Sequence, residues 1–420
     1  MEPLLRLPVA PGPSLRRRLL FVSPRFLFPM DNGGKIRTVQ ILRGMKGGAW
    51  EITLASPVPP DGRTRFAAEL SAVCDRFASW PEPRRGRAFR LTRMRHLVSR
   101  FPVPVATDRS DAGRRVVAAE LAGRPDVVVF DFLHSTVLAP AGLAVPSVLF
   151  THNVESEIFR RHADLAENPV KKAVFRDQLR KMERFEGDAL RRFQTVVAVS
   201  ERDAGLFRES FGLARAEVIP TGVDVDFFSY TPPGESQAVA FTGSMDWLAN
   251  IDGVDWFLDQ VWDRVVREVP GACFKVIGRN PPDFLVEKAR AKGLPWDFTG
   301  FVDDVRPHVR GCSAYVIPLR VGGGTRLKAF EAMAMGCPVV STSIGVEGLP
   351  VEPDLHYLRA DTAPAFASAL VRLLREAGLR ERMAREARRH MEESFSFLRV
   401  ARTFEDLCLR AAEGEVTRAR

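Results

Sequence analysis

Short apolar runs alternate with amphipathic segments along most of the chain, from about residue 18 to about residue 393. The runs are nearly continuous in apolar residues, which is typical of strands buried on both faces of a parallel sheet. Between them, apolar residues recur with the spacing of one helical face. This alternation indicates an α/β fold in which helices cover parallel sheets. The predicted strands are 18–23, 51–56, 126–130, 146–151, 195–200, 217–220, 238–242, 273–278, 314–318, 338–341 and 356–358.

The predicted strands form two sets, and the second set begins with strand 217–220. A turn-rich sequence, Pro-Thr-Gly-Val-Asp at 220–224, forms the junction. We therefore predict two doubly wound domains that face a cleft, because such sheets bind ligands at the carboxyl ends of their strands. The predicted divisions are a flexible tail over 1–17, a first domain over 18–215, a second domain over 216–393, and a C-terminal helix and tail over 394–420 that cross back to the first domain.

Composition excludes several other classes of protein. Apolar residues make up 45% of the 420 residues and charged residues 27%, which is typical of globular chains and not of disordered ones. The five cysteines form no CxxC pair, which argues against a disulfide scaffold and fits a reducing cytoplasm. The N-terminal segment lacks the pattern of a signal peptide, and Asp131, His134 and two prolines interrupt the best candidate for a membrane span, 125–150. We therefore expect a cytoplasmic protein without a transmembrane segment.

Positive charge exceeds negative charge, with 61 Lys and Arg residues against 52 Asp and Glu residues and a net charge of +9. Seven arginines lie between Arg84 and Arg100, interleaved with apolar and aromatic residues. This pattern suits an anionic membrane surface, and a solvated helix face is the alternative. No recognised nucleic-acid-binding module accompanies the cluster, so we expect no nucleic-acid partner.

A first glycine-rich segment places Gly33 and Gly34 between the first predicted strand and a helix near Lys35. Paired glycines let backbone N–H groups approach an anion, and the helix N-terminus adds partial positive charge. The loop is therefore a candidate phosphate contact or, alternatively, a plain tight turn.

A second glycine-rich segment, 318–341, runs from a strand through three glycines into a helix and then through Gly-Cys-Pro to another strand. Arg326 and Lys328 fall in the first helical turn, where the helix dipole disfavours cations. An anionic ligand would remove that conflict, and Glu331 is placed to accept hydrogen bonds from sugar hydroxyls. The segment indicates an anion-binding loop more strongly than a surface turn.

The segment 318–341, with the Gly33-Gly34 pair and the two-domain layout, resembles GT-B glycosyltransferases of the family 4 type. Among these, the chain looks most similar to bacterial sugar transferases of exopolysaccharide biosynthesis. The resemblance extends from about Arg18 and includes Thr-His-Asn-Val-Glu-Ser at 151–156 and Val-Ile-Pro-Thr-Gly-Val-Asp at 218–224. It implies two Rossmann-like domains, of which the second holds a nucleotide-diphosphate sugar and the first a hydroxyl acceptor. It also implies transfer with retention and no metal cofactor.

The resemblance assigns roles to individual positions of this sequence. It implies that Gly33 and Gly34 contact the donor pyrophosphate or sugar and that Glu331 holds the ribose hydroxyls. It further implies that His152 is aimed at the donor sugar and that Asp131 contacts the acceptor. The residues expected to bind the donor are Gly33, Gly34, Gly243, Ser244, Gly323, Gly324, Thr325 and Glu331, and those expected to act in catalysis are Asp131, His152, Arg326 and Lys328.

The sequence departs from the family pattern at two places. Gly323 occupies the position of the first of two glutamates that family members usually carry eight residues apart. The segment 243–250 lacks the Arg and Lys that relatives keep after the first strand of the second domain. Our hypothesis is that Arg326 and Lys328 replace those cations from the other side of the diphosphate.

Two other functions remain open from the sequence alone. A nucleotide-sugar 2-epimerase uses the same architecture, but we find no convincing acid–base set for it. A non-catalytic nucleotide- or glycan-binding protein is the second alternative, because the first glutamate is absent. A lipid-linked or polysaccharide acceptor and a peripheral position on the membrane are further expectations for the transferase.

Overall fold

The computed structural model of the protein describes residues 16–83, 86–166, 168–321 and 326–415. In these residues the strands form two parallel sheets, as the sequence pattern predicts. The strands are β1 (Arg17–Val22), β2 (Trp50–Val58), β3 (Arg76–Pro81), β4 (Val127–Asp131), β5 (Ser147–Phe150), β6 (Thr195–Ala198), β7 (Glu217–Val218), β8 (Ala238–Thr242), β9 (Cys273–Ile277), β10 (Trp296–Gly300), β11 (Ala314–Ile317), β12 (Val339–Ser341) and β13 (Tyr357–Arg359).

Helices lie between almost all of these strands. They are α1 (Gly33–Met45), α2 (Gly62–Arg65), α3 (Ala67–Ser71), α4 (Arg87–Arg95), α5 (Val103–Asp108), α6 (Asp111–Ala122), α7 (Glu155–Leu165), α8 (Pro169–Arg192), α9 (Glu201–Phe211), α10 (Leu248–Trp256), α11 (Asp263–Glu268), α12 (Asp283–Ala291), α13 (Arg306–Val309), α14 (Leu327–Ala334), α15 (Ala363–Arg375), α16 (Ala377–Ser394) and α17 (Phe397–Glu413). A π-helical stretch, Phe257–Trp262, joins α10 to α11, and short 3₁₀ turns cover His96–Val98, Leu133–Leu138 and Ile344–Val346.

The first sheet has the strand order β3-β2-β1-β4-β5-β6-β7, and the second has the order β10-β9-β8-β11-β12-β13. In each sheet the order reverses beside one strand, β1 in the first and β8 in the second. Both faces of the central strands are covered, so residues such as Val128, Val129 and Phe130 have no accessible surface. The reversal leaves a crevice at the carboxyl ends of the strands, which is the usual ligand position in this type of sheet.

Helix α17 crosses back and completes the core of the first domain. A Cβ atom at Gly44 of α1 would lie 2.3 Å from the Cβ of Ala401, so α1 and α17 are in close contact. Phe404 packs against Phe150 of β5 with the ring centres 4.7 Å apart. The predicted return of the C-terminal helix to the first domain is therefore confirmed.

The chain passes between the domains twice, and the two passages are hydrogen-bonded side by side. The N–H of Val223 donates to the carbonyl of Phe395 over 2.8 Å, and the N–H of Phe397 donates to the carbonyl of Val223 over 2.9 Å. A Cβ atom at Gly222 would lie 2.6 Å from the Cα of Phe397, so a glycine is needed for this close approach. The two passages therefore form one paired connection between the domains.

The structure differs from the sequence-based division at the junction. Strand β7 pairs with β6 of the first sheet, through Val197 with Glu217 and Ala198 with Val218. The predicted boundary at 215/216 assigns this strand to the second domain, whereas its pairing places it in the first. A strand this short shows no apolar pattern of its own, so only the pairing identifies its sheet.

Candidate active site

The two domains face each other across a cleft of about 1130 Å³. Helices α7, α8 and α9 contribute to one wall, and the loop after β8 and residues 347–350 contribute to the other. Asn153, the neighbour of His152, and Phe330, the neighbour of Glu331, both line the cleft. Because the cleft lies at the carboxyl ends of the strands, it is the candidate active site.

His152 and Asp131 form a buried pair at the ends of β5 and β4. The His152 Nε2 lies 2.7 Å from Asp131 Oδ1, and Asp131 also accepts hydrogen bonds from the hydroxyls of Ser23 (3.0 Å) and Thr38 (3.1 Å). Burial lowers the pKa of His152, although the Asp131 carboxylate acts in the opposite direction. A neutral imidazole that donates its Nε2 proton to Asp131 leaves Nδ1 as an acceptor, and Nδ1 has no hydrogen-bond partner among the described residues.

The geometry revises the expected role of Asp131. Its carboxylate has no accessible surface and is fully engaged by three side chains of the first domain. A direct contact with the acceptor does not fit this position, because Asp131 has no accessible surface. Asp131 is instead placed to fix the tautomer and orientation of the imidazole.

Phe132 covers one face of the His152 imidazole. Its ring stacks on the imidazole with centres 3.8 Å apart and planes 12° apart, and only 2% of the His152 surface is accessible. The backbone of Phe132 has a φ of +61°, which is strained for an aromatic residue. A Cβ atom at Gly34 would lie 2.5 Å from Cζ of Phe132, so the second glycine of the predicted pair makes room for this ring. In this conformation the Phe132 ring occupies the stacked face of the imidazole, so a ligand can contact that face only after the ring moves.

Gly33 and Gly34 open α1, as the sequence predicts. Asn32 precedes them and caps the helix, because its side-chain oxygen accepts a hydrogen bond from the Lys35 N–H over 3.1 Å. The glycines therefore lie at a helix N-terminus, and Gly34 is in contact with Phe132, which stacks on His152.

Arg37 is a residue of the site that the sequence analysis missed. Its side chain is fully buried, and it donates to the carbonyls of Thr151 and Ile219 while lying 4.2 Å from the ring centre of Phe150. Burial lowers the pKa of Arg37 to about 9, although Asp131 and Asp203 act in the opposite direction. The signal was present, because Arg37 lies on the apolar face of the predicted helix that follows the glycine pair.

In the second domain, Lys328 reaches the loop that follows β8. Its Nζ donates to Asn250 Oδ1 over 2.9 Å and lies 4.4 Å from the ring centre of Phe241. A Cβ atom at Gly243 would lie 2.9 Å from this Nζ, so the glycine leaves space for the amine. Desolvation and the nearby Arg326 lower the pKa of Lys328 to about 7, although the Glu331 carboxylate acts in the opposite direction. The amine thus lies against the loop over 243–250.

Ser244 takes part in a hydrogen-bond network on the outer side of the same loop. Its hydroxyl donates to Asp246 over 2.9 Å and accepts from Arg279 Nε over 3.1 Å. Arg279 also pairs with Asp246 at 2.9 Å. Arg279 is therefore a second cation close to this loop that the sequence analysis did not identify.

Glu331 lies one turn beyond Lys328 on α14. Its carboxylate makes no hydrogen bond or ion pair within the described part of the chain, and desolvation raises its pKa to about 7, with Lys328 acting against it. A half-buried carboxylate without a protein partner is suited to accept hydrogen bonds from ligand hydroxyls.

Arg326 lies close enough to Arg161 and Arg202 of the first domain for their charges to act on it, and its own charge acts on Lys328. Its backbone is left-handed, with a φ of +48°, and its buried side chain lies in the field of Glu347, which pairs with Arg161 at 3.1 Å and with Arg202 at 3.2 Å. Burial lowers the pKa of Arg326 to about 10, although Glu347 acts in the opposite direction. Arg326 is therefore near Glu347 at the domain boundary, whereas Lys328 contacts Asn250 beside the loop after β8. Gly323, Gly324 and Thr325 lie outside the described residues.

The described residues contain neither a cluster of metal-ligating side chains nor a helix that could span a membrane. No group of three or more His, Cys, Asp or Glu side chains is arranged there to hold a metal ion. Within the same residues, every helix is too short or too polar to cross a bilayer.

Two family profiles match the chain, one over each domain. Residues 32–227 match the profile described as Glycosyltransferase Family 4, and residues 236–376 match the profile described as Glycosyl transferases group 1. Together the two matches cover most of the chain.

An individual protein is also similar to this chain in sequence. A phosphatidyl-myo-inositol mannosyltransferase of Mycobacterium leprae (strain TN) is 28% identical over 232 residues, which are 52% of this chain and 61% of that protein. The similarity therefore spans less than two thirds of that relative.

Solved structures share the architecture over nearly the whole chain. Sucrose-phosphate synthase from Thermosynechococcus elongatus covers 95% of this chain and 100% of its own, with 15% identity and a TM-score of 0.69. The Anabaena protein HepE, solved with UDP and glucose, covers 93% of this chain and 99% of its own, with 14% identity and a TM-score of 0.64. At these identities the structures establish the fold. The two profile matches and the two facing parallel sheets together show that the chain belongs to the family 4 type of GT-B glycosyltransferases.

Proposed function

We propose that the protein transfers a sugar from a nucleotide-diphosphate sugar to a hydroxyl acceptor with retention of configuration. The main support for this proposal is the arrangement of Lys328 and Glu331 near β8, the strand beside which the strand order of the second sheet reverses. A cation beside Gly243 suits the diphosphate, and an unpaired carboxylate one helical turn away suits the ribose hydroxyls. In this proposal His152 and the N-terminus of α1 act from the first domain.

The proposed chemistry needs no nucleophile from the protein. The acceptor hydroxyl attacks the anomeric carbon on the face that the diphosphate leaves, and a phosphate oxygen takes the hydroxyl proton. The protein orients the two substrates and stabilises the charge that grows on the leaving diphosphate. We propose that Lys328 and the N-terminal amides of α1 stabilise this charge and that they do so without a metal ion.

His152 contacts the donor sugar in this proposal after Phe132 has moved. Asp131 orients the imidazole through the 2.7 Å hydrogen bond and does not touch substrate. Closure of the domains about the paired connection at Val223 and Phe395 would exclude water and limit hydrolysis of the donor.

We further propose a lipid-linked or polysaccharide acceptor and a position on an anionic membrane surface. The segment from α4 to Arg100 exposes Met94 (65%) and Val98 (91%) beside the exposed arginines Arg93 and Arg95. Exposed apolar side chains among arginines suit the interface of an anionic bilayer. The similarity to a mannosyltransferase named for a phospholipid is in keeping with this proposal. Arg84, Arg85 and the side chains of Arg87 and Arg90 lie outside the described residues.

A panel of nucleotide sugars, screened by thermal shift of the full chain, tests the proposed donor. We expect one class of donor to raise the thermal midpoint, because a ligand that binds only the folded state stabilises it. Lys328→Ala should abolish the shift, whereas Lys292→Ala, a change on the outer surface of α12, should leave it unchanged. A panel in which no donor shifts the wild-type protein would contradict the proposal.

Turnover assays then separate transfer from the two alternatives. Appearance of a glycosylated acceptor supports the transferase. Conversion of the donor without an acceptor would indicate a 2-epimerase, and donor binding without turnover across a broad acceptor panel would indicate a binding protein.

A further inference from the structure

A second cavity, of about 250 Å³, lies in the first domain and is separate from the cleft. It opens at the carboxyl ends of β1, β2 and β3, and residues of α4 and α5 and the start of α6 complete its walls. Pockets for whole small molecules have volumes of about 300–1,000 Å³. This cavity therefore has room for one group of a larger ligand.

Three arginines, Arg25, Arg93 and Arg109, line the cavity. All three are exposed, and none forms an ion pair with a carboxylate of the described residues. Asp108 also lines the cavity, but its carboxylate is 3.2 Å from His134 Nδ1 and is held by that buried imidazole. The positive charge of the three guanidinium groups is therefore available to a ligand.

The cavity wall at Trp80 and the start of α6 is tightly packed. Trp80 is 4% exposed, and a Cβ atom at Gly113 would lie 2.8 Å from its Cε2, so the indole is packed directly against α6. Ser110 caps α6 by accepting a hydrogen bond from the Gly113 N–H over 3.0 Å. Glu82, the other carboxylate that lines the cavity, also takes part in an interaction with another residue. The cavity is thus a preformed feature of the fold.

The cavity adjoins the candidate catalytic residues. The guanidinium carbon of Arg25 lies 5.9 Å from the ring centre of Phe132, which in turn stacks on His152 at 3.8 Å. A ligand group held by Arg25 would place the rest of its molecule beside Phe132 and close to His152, within the first domain. That is the domain in which the acceptor is proposed to bind.

We propose, on the basis of the glycosyltransferase function proposed above, that this cavity binds a phosphate group of the acceptor. Each arginine presents a planar fork that pairs with two oxygens, and three forks around one cavity match the several oxygens of a phosphate better than the two of a carboxylate. A membrane lipid and a soluble sugar phosphate both carry such a group. Arg93 lies on α4, so the cavity borders the exposed apolar side chains of the proposed membrane surface.

Isothermal titration calorimetry of the full chain with inorganic pyrophosphate tests the phosphate chemistry. The triple variant R25A/R93A/R109A should bind pyrophosphate about tenfold or more weakly, because contacts to charged groups are among the strongest hydrogen bonds. The triple arginine-to-lysine variant keeps the charge without the fork, so we expect an intermediate affinity. Arg382→Ala, on the exposed face of α16, is the matched control and should leave the affinity unchanged.

Binding of pyrophosphate in the cleft is measured separately with Lys328→Ala. Pyrophosphate binding that Lys328→Ala abolishes and the triple alanine variant leaves unchanged would overturn the proposal for the cavity. The nucleotide-sugar panel distinguishes the two proposals: a chain that binds no nucleotide sugar but keeps arginine-dependent pyrophosphate binding would overturn the transferase alone.

The source of the phosphate is tested by two further probes. Cosedimentation with phosphatidylglycerol–phosphatidylcholine vesicles that is lost in the triple alanine variant supports a lipid phosphate. Binding of glycerol 3-phosphate that is lost in the same variant, with vesicle binding intact, supports a soluble sugar phosphate. If neither probe distinguishes the variant from the wild type, the proposal is overturned.

Discussion

Substitution of Gly34 by alanine should disturb the aromatic cover of the candidate active site. The added Cβ would lie 2.5 Å from Cζ and 2.9 Å from Cε1 of Phe132. Carbon atoms in good contact are about 3.5–4.0 Å apart, so the methyl group overlaps the ring by about 1 Å. Phe132 has little freedom to yield, because it is stacked on His152 and its backbone already has a positive φ.

Overpacking of this size destabilises a domain by about 1–3 kcal/mol. For a domain of roughly 200 residues, each kcal/mol corresponds to a fall of about 2–4 °C in the thermal midpoint. Phe132→Ala removes the ring and with it the clash, so Gly34→Ala should cost little in that background. We therefore expect the two substitutions to be coupled by about 1 kcal/mol or more.

Urea unfolding of the two single variants and the double variant, followed by circular dichroism, measures this coupling. Gly142→Ala is the matched control, because a Cβ atom at Gly142 meets no atom within 4 Å. Additive effects of Gly34→Ala and Phe132→Ala would refute the reasoning, since they would show that the glycine serves some purpose other than making room for the ring.

Three further predictions follow from other side chains. Arg37→Met leaves two backbone carbonyls without their buried donor, so the free energy of unfolding should fall by about 2–4 kcal/mol. Urea titration measures this loss, and a loss below about 1 kcal/mol would contradict the assigned hydrogen bonds. Lys328 has a pKa of about 7, and the amine loses its positive charge as the pH rises through that value, so affinity for UDP should fall between about pH 6 and 8.5. Calorimetry checks this trend, and Lys328→Arg, which stays charged, should flatten it. Glu347→Gln removes partly exposed ion pairs to two arginines of the first domain, so the free energy of unfolding should fall by less than about 1 kcal/mol. Because these pairs join the two domains, small-angle scattering should show a larger radius of gyration for the variant. An unchanged radius would show that these pairs do not hold the domains together.

The sequence predicts the central strands well because both of their faces are buried. β4 and β5, for example, are continuous apolar runs with almost no accessible surface. The edge strands β3 and β10 were missed, and their composition explains why. Each lies at one end of its sheet and includes exposed polar residues such as Arg76 and Asp297. An edge strand lacks the continuous apolar run from which a buried strand is identified.

The sequence also places most of the candidate residues but not their orientations. His152 and Asp131 are predictable as neighbours, because both follow adjacent parallel strands. Their burial beneath Phe132 is not, since it depends on one positive φ angle. The Arg326 side chain is likewise buried next to a left-handed backbone at the same residue. Local backbone conformations of this kind leave no periodic signal in the sequence.

The crossing of α17 has a consequence for the order in which the two domains become complete during synthesis. Phe404 and Leu407, on α17, are fully buried in the core of the first domain, and Arg17 of β1 pairs with Glu413 of the same helix at 2.7 Å. The ribosome makes α17 only after all the strands of the second sheet. The second domain can therefore be complete while the first, although made earlier, still exposes the apolar surface that α17 covers. During that interval the apolar face of α1 that α17 will cover is exposed to association with other chains.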